Sequence, residues 1–556
     1  MPPSVAQTSS SLKNLRGSKS AISWFTFRRS VFGGLLFGLF ATAESYAQGR
    51  GIIAAFPNLT QRALIIHGLA NNAALGLFYG DKTANIVSPS GYMVYRIMPI
   101  LVLVAAIWAM TITTKMLRGQ EENGRWELLL SGPFSSGQAT LKSVLGIFGV
   151  FVSSFLVFGL TLALLSSKGA FRLTLGGSLY FALCILAGGI IGLAIGAITS
   201  QLAATRRSAM LYAAALIIVF FAVRSVANII NGLIWLKNLT PFGWIDKLRP
   251  FYYAQPIWFL PIVLFAGVCL VSAILLSSKR DLGQSLIADK DSAKPKFGLL
   301  NSQLGLNFRL LRNVLFGWLL GGVAFATLIA SIDKTVAKTL GSSGSKGRLI
   351  KTFSNLTGNP DSRIEIAYLS AAGFFTITLL LIMTANYLSA LRDEETSGRL
   401  DNLISGTLSR GYWLYARLAL VLGAAVTITF ITNVVIWALA AAQGISVSFL
   451  TLVLGGLNIL GPLMLLLGIG VMVYGLVPKV LSIVMYALIG WSFTIDIISS
   501  ALKLSKGFSD TSLLHYVSLV PAANPNWRTF TLISLIGLAG ILIGAIVFDR
   551  RDLQIE

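Results

Sequence analysis

Residues 117–137 read LRGQEENGRWELLLSGPFSSG, and residues 391–411 read LRDEETSGRLDNLISGTLSRG. Leu117, Arg118, Glu121, Gly124, Arg125, Leu129, Ser131, Gly132, Ser135 and Gly137 each recur unchanged at a constant offset, Gly398 standing to Gly124 as Arg399 stands to Arg125. A polar stretch kept to this extent within one chain identifies an internal duplication. Each copy follows one long apolar run and precedes another, so in both halves it forms a polar hinge between apolar segments. The ends of the halves also match, KRDL at 279–282 with RRDL at 550–553.

The chain around these hinges is that of a polytopic membrane protein. Of 556 residues 55% are hydrophobic and 12% charged, too little charge to cover a water-soluble surface of this size. Runs long enough to cross a bilayer lie near 31–48, 92–116, 139–166, 173–199, 208–234 and 257–277, and again near 313–333, 367–390, 414–442, 447–475, 480–502 and 529–548. They lack the alternation of a barrel wall. The predicted fold is therefore all-α, with twelve transmembrane helices in two parallel six-helix repeats related by a pseudo-twofold axis along the membrane normal. The predicted organisation is a cytosolic arm with an interfacial helix (1–30), a first repeat (31–282), a linker with a second interfacial helix (283–312) and a second repeat (313–556). The lysine and arginine distribution favours both termini and both hinges in the cytosol. The net charge of +23 is spread over loops between apolar runs and points to lipid headgroups rather than nucleic acid. The Gly, Ser and Lys content of 334–366 favours a mobile outer loop.

Within each hinge, Arg118, Glu121 and Arg125 stand at spacings of three and four, predicting charges that pair along one helical face, while Gly124 and Gly398 end a turn. Glu121 and Glu122 do not form an acid–base pair, because adjacent residues on a helix point about 100° apart. The two histidines, His67 and His515, are too few for a metal site, and Cys184 and Cys269 sit in apolar runs. No G-x-x-x-x-G-K-[ST] loop occurs, so this chain has no such means of holding ATP.

The stretches EENGRWELLLSGPFS and EETSGRLDNLISGTLSR resemble the signature of the permease subunits of type 2 ABC exporters, in the polyketide antibiotic and multidrug branch. LTPFGWIDKLRP at 239–250 and LHYVSLVPAANPNW at 514–527 resemble the same branch, and the likeness covers essentially the whole chain. The resemblance implies a bacterial cytoplasmic-membrane subunit with no catalytic residue and no cofactor of its own. ATP and Mg2+ would belong to two separate ATPase subunits, identical or paired, and the cargo would be a small amphipathic or hydrophobic molecule. It also implies that the hinges couple to the ATPase through Glu121, Glu122, Gly124, Arg125 and Glu127, and through Glu395, Gly398, Arg399 and Asp401. Thr396 and Thr407 depart from the first copy, where Glu122 and Pro133 stand, so unequal docking contacts are expected. The segments 11–29 and 304–312, which lead into the first helix of each half, correspond to a connecting helix.

Two charges fall inside apolar runs. Arg224 and Asp496 occupy equivalent places on the fifth run of each half, predicting either a gate or a static ion pair. By family analogy Trp108, Met110, Phe220, Asn228, Met383, Asn386, Trp491 and Phe493 line the cavity. The G-x-x-x-G steps Gly34/Gly38, Gly188/Gly192/Gly196, Gly317/Gly321 and Gly540/Gly544 are expected to bring helices together. An ATPase-independent secondary carrier and a noncatalytic scaffold or sensor with a permease fold are the alternatives.

Overall fold

The computed structural model describes residues 20–55, 58–60, 62–63, 79–80, 85–131, 134–167, 171–281, 283–286, 298–299, 302–342, 364–396, 398–405, 409–502 and 506–553. The arm before residue 20, His67 and most of the loop expected to be mobile lie outside them. All regular structure among the described residues is helical, and the chain divides into two compact units, Met1–Ala293 and Lys294–Glu556.

In the first unit, α1 (Ala21–Ala55) packs along α5 (Ser136–Ser166), and α2 (Pro89–Met116) packs along α6 (Leu175–Leu202). Between α2 and α5 lie two short helices, α3 (Arg118–Glu122) and α4 (Arg125–Leu130). The unit continues through α7 (Arg206–Ile229), the short α8 (Pro241–Asp246) and α9 (Phe259–Lys279). The second unit holds α10 (Gln303–Ser342), α11 (Ile364–Thr396), the short α12 (Arg399–Ile404), α13 (Arg410–Ala442), α14 (Phe449–Asn458), α15 (Leu460–Leu476), α16 (Leu481–Leu502), the single turn α17 (Lys506–Ser509) and α18 (Trp527–Arg550).

Among the described residues ten spans are long and apolar enough to cross a membrane: one each in α2, α5, α6, α7, α9, α10, α11, α13 and α18, and one across α14 and α15 together. The expected spans at 31–48 and 480–502 fall in helices α1 and α16, which are not among these ten. The fifth run is shorter than predicted, since α7 stops at Ile229 and the chain tightens into a 3-10 turn over Asn231–Leu239. Ile459 separates α14 from α15 three residues before Pro462, which has no N–H for the helical ladder. The expected interfacial helix at 304–312 is continuous with the span that follows it, both belonging to α10.

Helix starts follow the polar residues that precede each apolar run. Ser88, Ser135, Thr174 and Thr205 accept backbone N–H groups at the starts of α2, α5, α6 and α7, and Ser409 does the same for α13. Ser135 and Ser409 are two of the duplicated positions, so capping the third long helix accounts for their recurrence.

Three of the four predicted small-residue steps bring backbones together. A methyl group on Gly192 would sit 2.1 Å from the Ala106 carbonyl oxygen, one on Gly38 2.8 Å from that of Ser154, and one on Gly544 2.6 Å from the Met472 nitrogen. The fourth prediction is overturned: a methyl group on Gly317 or Gly321 would meet nothing within 4 Å. Where Gly146 lets α5 approach Ser23 in the first unit, the second unit has Leu420, which lines a cleft between α10 and α13.

Candidate functional site

The first hinge is built by a left-handed glycine. Gly124 has φ 68° and ψ 1°, and its N–H bonds the Glu121 carbonyl at 3.0 Å, so α3 ends and α4 begins at a new angle. A side chain at Gly124 would meet no neighbour, so the constraint there is conformational rather than steric. The turn changes the predicted charge pairing. Arg118 pairs with Glu121 at 3.0 Å as the spacing suggested, whereas Arg125 lies beyond the turn and donates to the Gln120 Oε1 at 3.1 Å.

Burial then divides the hinge into an inner and an outer set. Glu121, with its side chain 6% exposed, receives Arg118, the Nη2 of Arg280 at 2.7 Å and the Gly283 N–H at 2.8 Å. Arg118 donates through Nε to the Ala204 carbonyl at 2.9 Å and through Nη1 to that of Gln284 at 3.1 Å. Trp126 is buried among Ile22, Leu117, Ala139, Ala197 and Ala273. Glu122, Arg125 and Glu127 are exposed. Glu122 also accepts the Arg206 N–H at 2.7 Å, placing a carboxylate at the positive N-terminal end of α7.

The second hinge repeats the plan. Gly398 has φ 68° and ψ 2°, with its N–H on the Glu395 carbonyl at 3.0 Å. Glu395, 2% exposed, receives the Nη2 of Arg551 at 2.8 Å. Arg392 donates to the Lys479 carbonyl at 2.9 Å, in the connection before the fifth helix, as Arg118 does at Ala204. Leu400 is fully buried where the first hinge has Trp126, and Arg399 and Asp401 are exposed as Arg125 and Glu127 are. The copies differ where the sequence differs. Thr396, in the place of Glu122, returns its hydroxyl to the Arg392 carbonyl, and Glu394, in the place of Gln120, pairs with Arg417. Residues 397 and 406–408 of the second stretch lie outside the described residues.

Arg280 and Arg551 are the functional residues that hinge-by-hinge reading misses. Each ends the sixth long helix of its unit and each meets the buried hinge glutamate, over separations of 159 and 156 residues. The signal was present in two separately noted repeats, the hinges and the KRDL and RRDL ends, whose pairing only the fold brings out.

The two charges in apolar runs are answered inside their own units. Arg224, 1% exposed, is held by Asp246 at the end of α8 through two bonds, Nε to Oδ2 at 2.7 Å and Nη2 to Oδ1 at 2.9 Å. Asp496 accepts the Ser512 hydroxyl at 2.6 Å, with the His515 ring 3.8 Å away. Among the cavity candidates, Met110 and Met383 are buried in their own cores, and Trp108 lies between Phe37 and Phe151. Phe220 packs edge-on against Phe265, and Phe493 lies against Phe374. Asn228 donates to the Tyr79 carbonyl, Trp491 to Thr511, and Asn386 is exposed.

The chain is helical among its described residues, with spans of membrane-crossing length and two like-built polar hinges. It belongs to the family described as multidrug efflux system permease Rv1217c, C-terminal domain, which matches residues 61–275 and 300–549. Among its relatives is the multidrug efflux system permease protein Rv1217c of Mycobacterium tuberculosis (strain ATCC 25618 / H37Rv), 26% identical over 503 residues, covering 88% of this chain and 86% of that protein.

Proposed function

We propose that the chain is the membrane-spanning subunit of an ATP-driven exporter of amphipathic or hydrophobic compounds. In this reading twelve helices form two parallel six-helix repeats in a bacterial cytoplasmic membrane, with both termini and both hinges in the cytosol. The exposed faces Arg125/Glu127 and Arg399/Asp401 dock separate ATPase subunits, which carry ATP, Mg2+ and the hydrolytic chemistry. Export as the direction and drugs as the cargo class are carried over from the name of the mycobacterial relative.

One observation carries the docking assignment. Both hinges spend their buried charge on an identical internal arrangement, a glutamate held by the terminal arginine of the sixth helix, and both present an arginine and an acid outward from the same left-handed turn. Rigid support beneath an outward charge pair suits a surface that receives force from a partner. Glu121 and Glu395 then act as positioning residues, and Arg125, Glu127, Arg399 and Asp401 touch the partner.

The test is copurification from native membranes in mild detergent, comparing the parent with a chain reversed at the four exposed positions (R125E, E127R, R399E, D401R), followed by ATPase assay. An ATPase that accompanies the parent and is lost from the reversed, still monodisperse chain supports docking at the hinges. Absence of ATPase from both chains overturns the energy source and favours a secondary carrier or scaffold.

A further inference from the structure

The second unit contains an open groove. Between α10 and α13 lies a cleft of about 700 Å³, within the size range of small-molecule sites. Its walls are apolar, including Phe308, Phe316 and Leu420, and Arg312 and Asn313 stand among them on α10, where the sequence passes into its apolar run. On the α13 side the cleft runs past Gly423, where a methyl group would meet no atom within 4 Å. In the first unit the corresponding pair, α1 and α5, is closed: a methyl group on Gly34 would lie 2.6 Å from the Val150 side chain, and one on Gly146 2.4 Å from the Ser23 carbonyl oxygen. The arginine there, Arg29, lies over the Phe25 ring.

We infer that the α10–α13 groove is a binding site for an anionic phospholipid of the surrounding membrane, with one acyl chain against Phe316, Leu319 and Gly423 and the phosphate on Arg312. Charge and depth select this occupant. An apolar slot open at the side of a membrane helix pair takes hydrocarbon, and this one holds an exposed guanidinium with no carboxylate lining the groove. A guanidinium presents a planar fork of donors that matches a phosphate in two places. An arginine at the edge of an apolar run sits at headgroup depth whichever way the chain crosses. The site is independent of how the hinges are used, so it stands whether or not an ATPase docks there.

Native mass spectrometry of the purified full chain, supplied with equal amounts of phosphatidylglycerol and phosphatidylcholine of the same chain length, tests the assignment. The parent is expected to retain phosphatidylglycerol several-fold better, because the choline cation of phosphatidylcholine offsets the attraction of its phosphate to Arg312 whereas phosphatidylglycerol keeps a net negative charge. R312Q is expected to lose the headgroup preference while still carrying lipid, and R312K to keep part of it. G423L, which fills the open space, is expected to lose both lipids without changing its elution volume. Equal retention of the two lipids by the parent, an undiminished preference in R312Q, or displacement of the lipid by glycerophosphoglycerol lacking acyl chains would each overturn the site.

Discussion

The buried glutamates are the residues on which each hinge depends. Removing one partner of a desolvated ion pair leaves the other charge uncompensated, at a cost of about 3–5 kcal/mol. R280E should therefore lower the melting temperature of the detergent-solubilised chain sharply, and R551E should do the same. Exchanging the charges as E121R/R280E should not restore stability, because Arg118 lies 3.0 Å from Glu121 and would face a second guanidinium. Full recovery in that double variant would refute the three-way arrangement around Glu121. Gly124 is required for another reason. Alanine at φ 68° costs about 1–2 kcal/mol, whereas asparagine tolerates the left-handed region better, so G124A should melt below G124N although both side chains have room. Asp246 offers a third measurement of the same kind. D246N keeps the shape but not the charge beneath Arg224, and its thermal unfolding should move toward that of a chain with an unpaired buried cation.

At the scale of helices, the sequence made the helical character of the elements legible but not the register of their neighbours. The duplicated hinge and its glycine turn could be read, because each depends on residues close together in the chain. The packing of a small-residue step depends on the opposite helix. Gly34 and Gly317 look alike in sequence, yet one is closed against Val150 and the other meets no neighbour. The partner of Arg224 was hidden in the same way: Asp246 reaches it because a six-residue helix turns back, which no apolar periodicity marks. These differences set opposite expectations for one substitution. G192A places its methyl group 2.1 Å from a backbone carbonyl oxygen and should destabilise by about 1–3 kcal/mol, while G317A enters open space in a helix and should be neutral or slightly stabilising. Fluorescence-detected melting of the two single variants distinguishes them.

For the whole molecule, the two hinges are alike in support but unequal in surface. The first adds Glu122, which ties it to the start of α7, and the second has Thr396 there, turned back onto its own helix. Reversing the first outward pair (R125E, E127R) should therefore reduce recovery of an ATPase partner more than reversing the second (R399E, D401R). Both effects should shrink as salt is raised from about 0.1 M to 1 M, where the screening length falls from about 10 Å to 3 Å. Equal losses from the two reversals would show that the exposed Glu122 contributes nothing to the difference. The junction at Arg551 has a practical consequence as well. It stands one position beyond α18, yet its guanidinium supports a surface 156 residues earlier. A cut after Arg550 would thus keep the whole of α18 in place and still withdraw the support from under the second hinge.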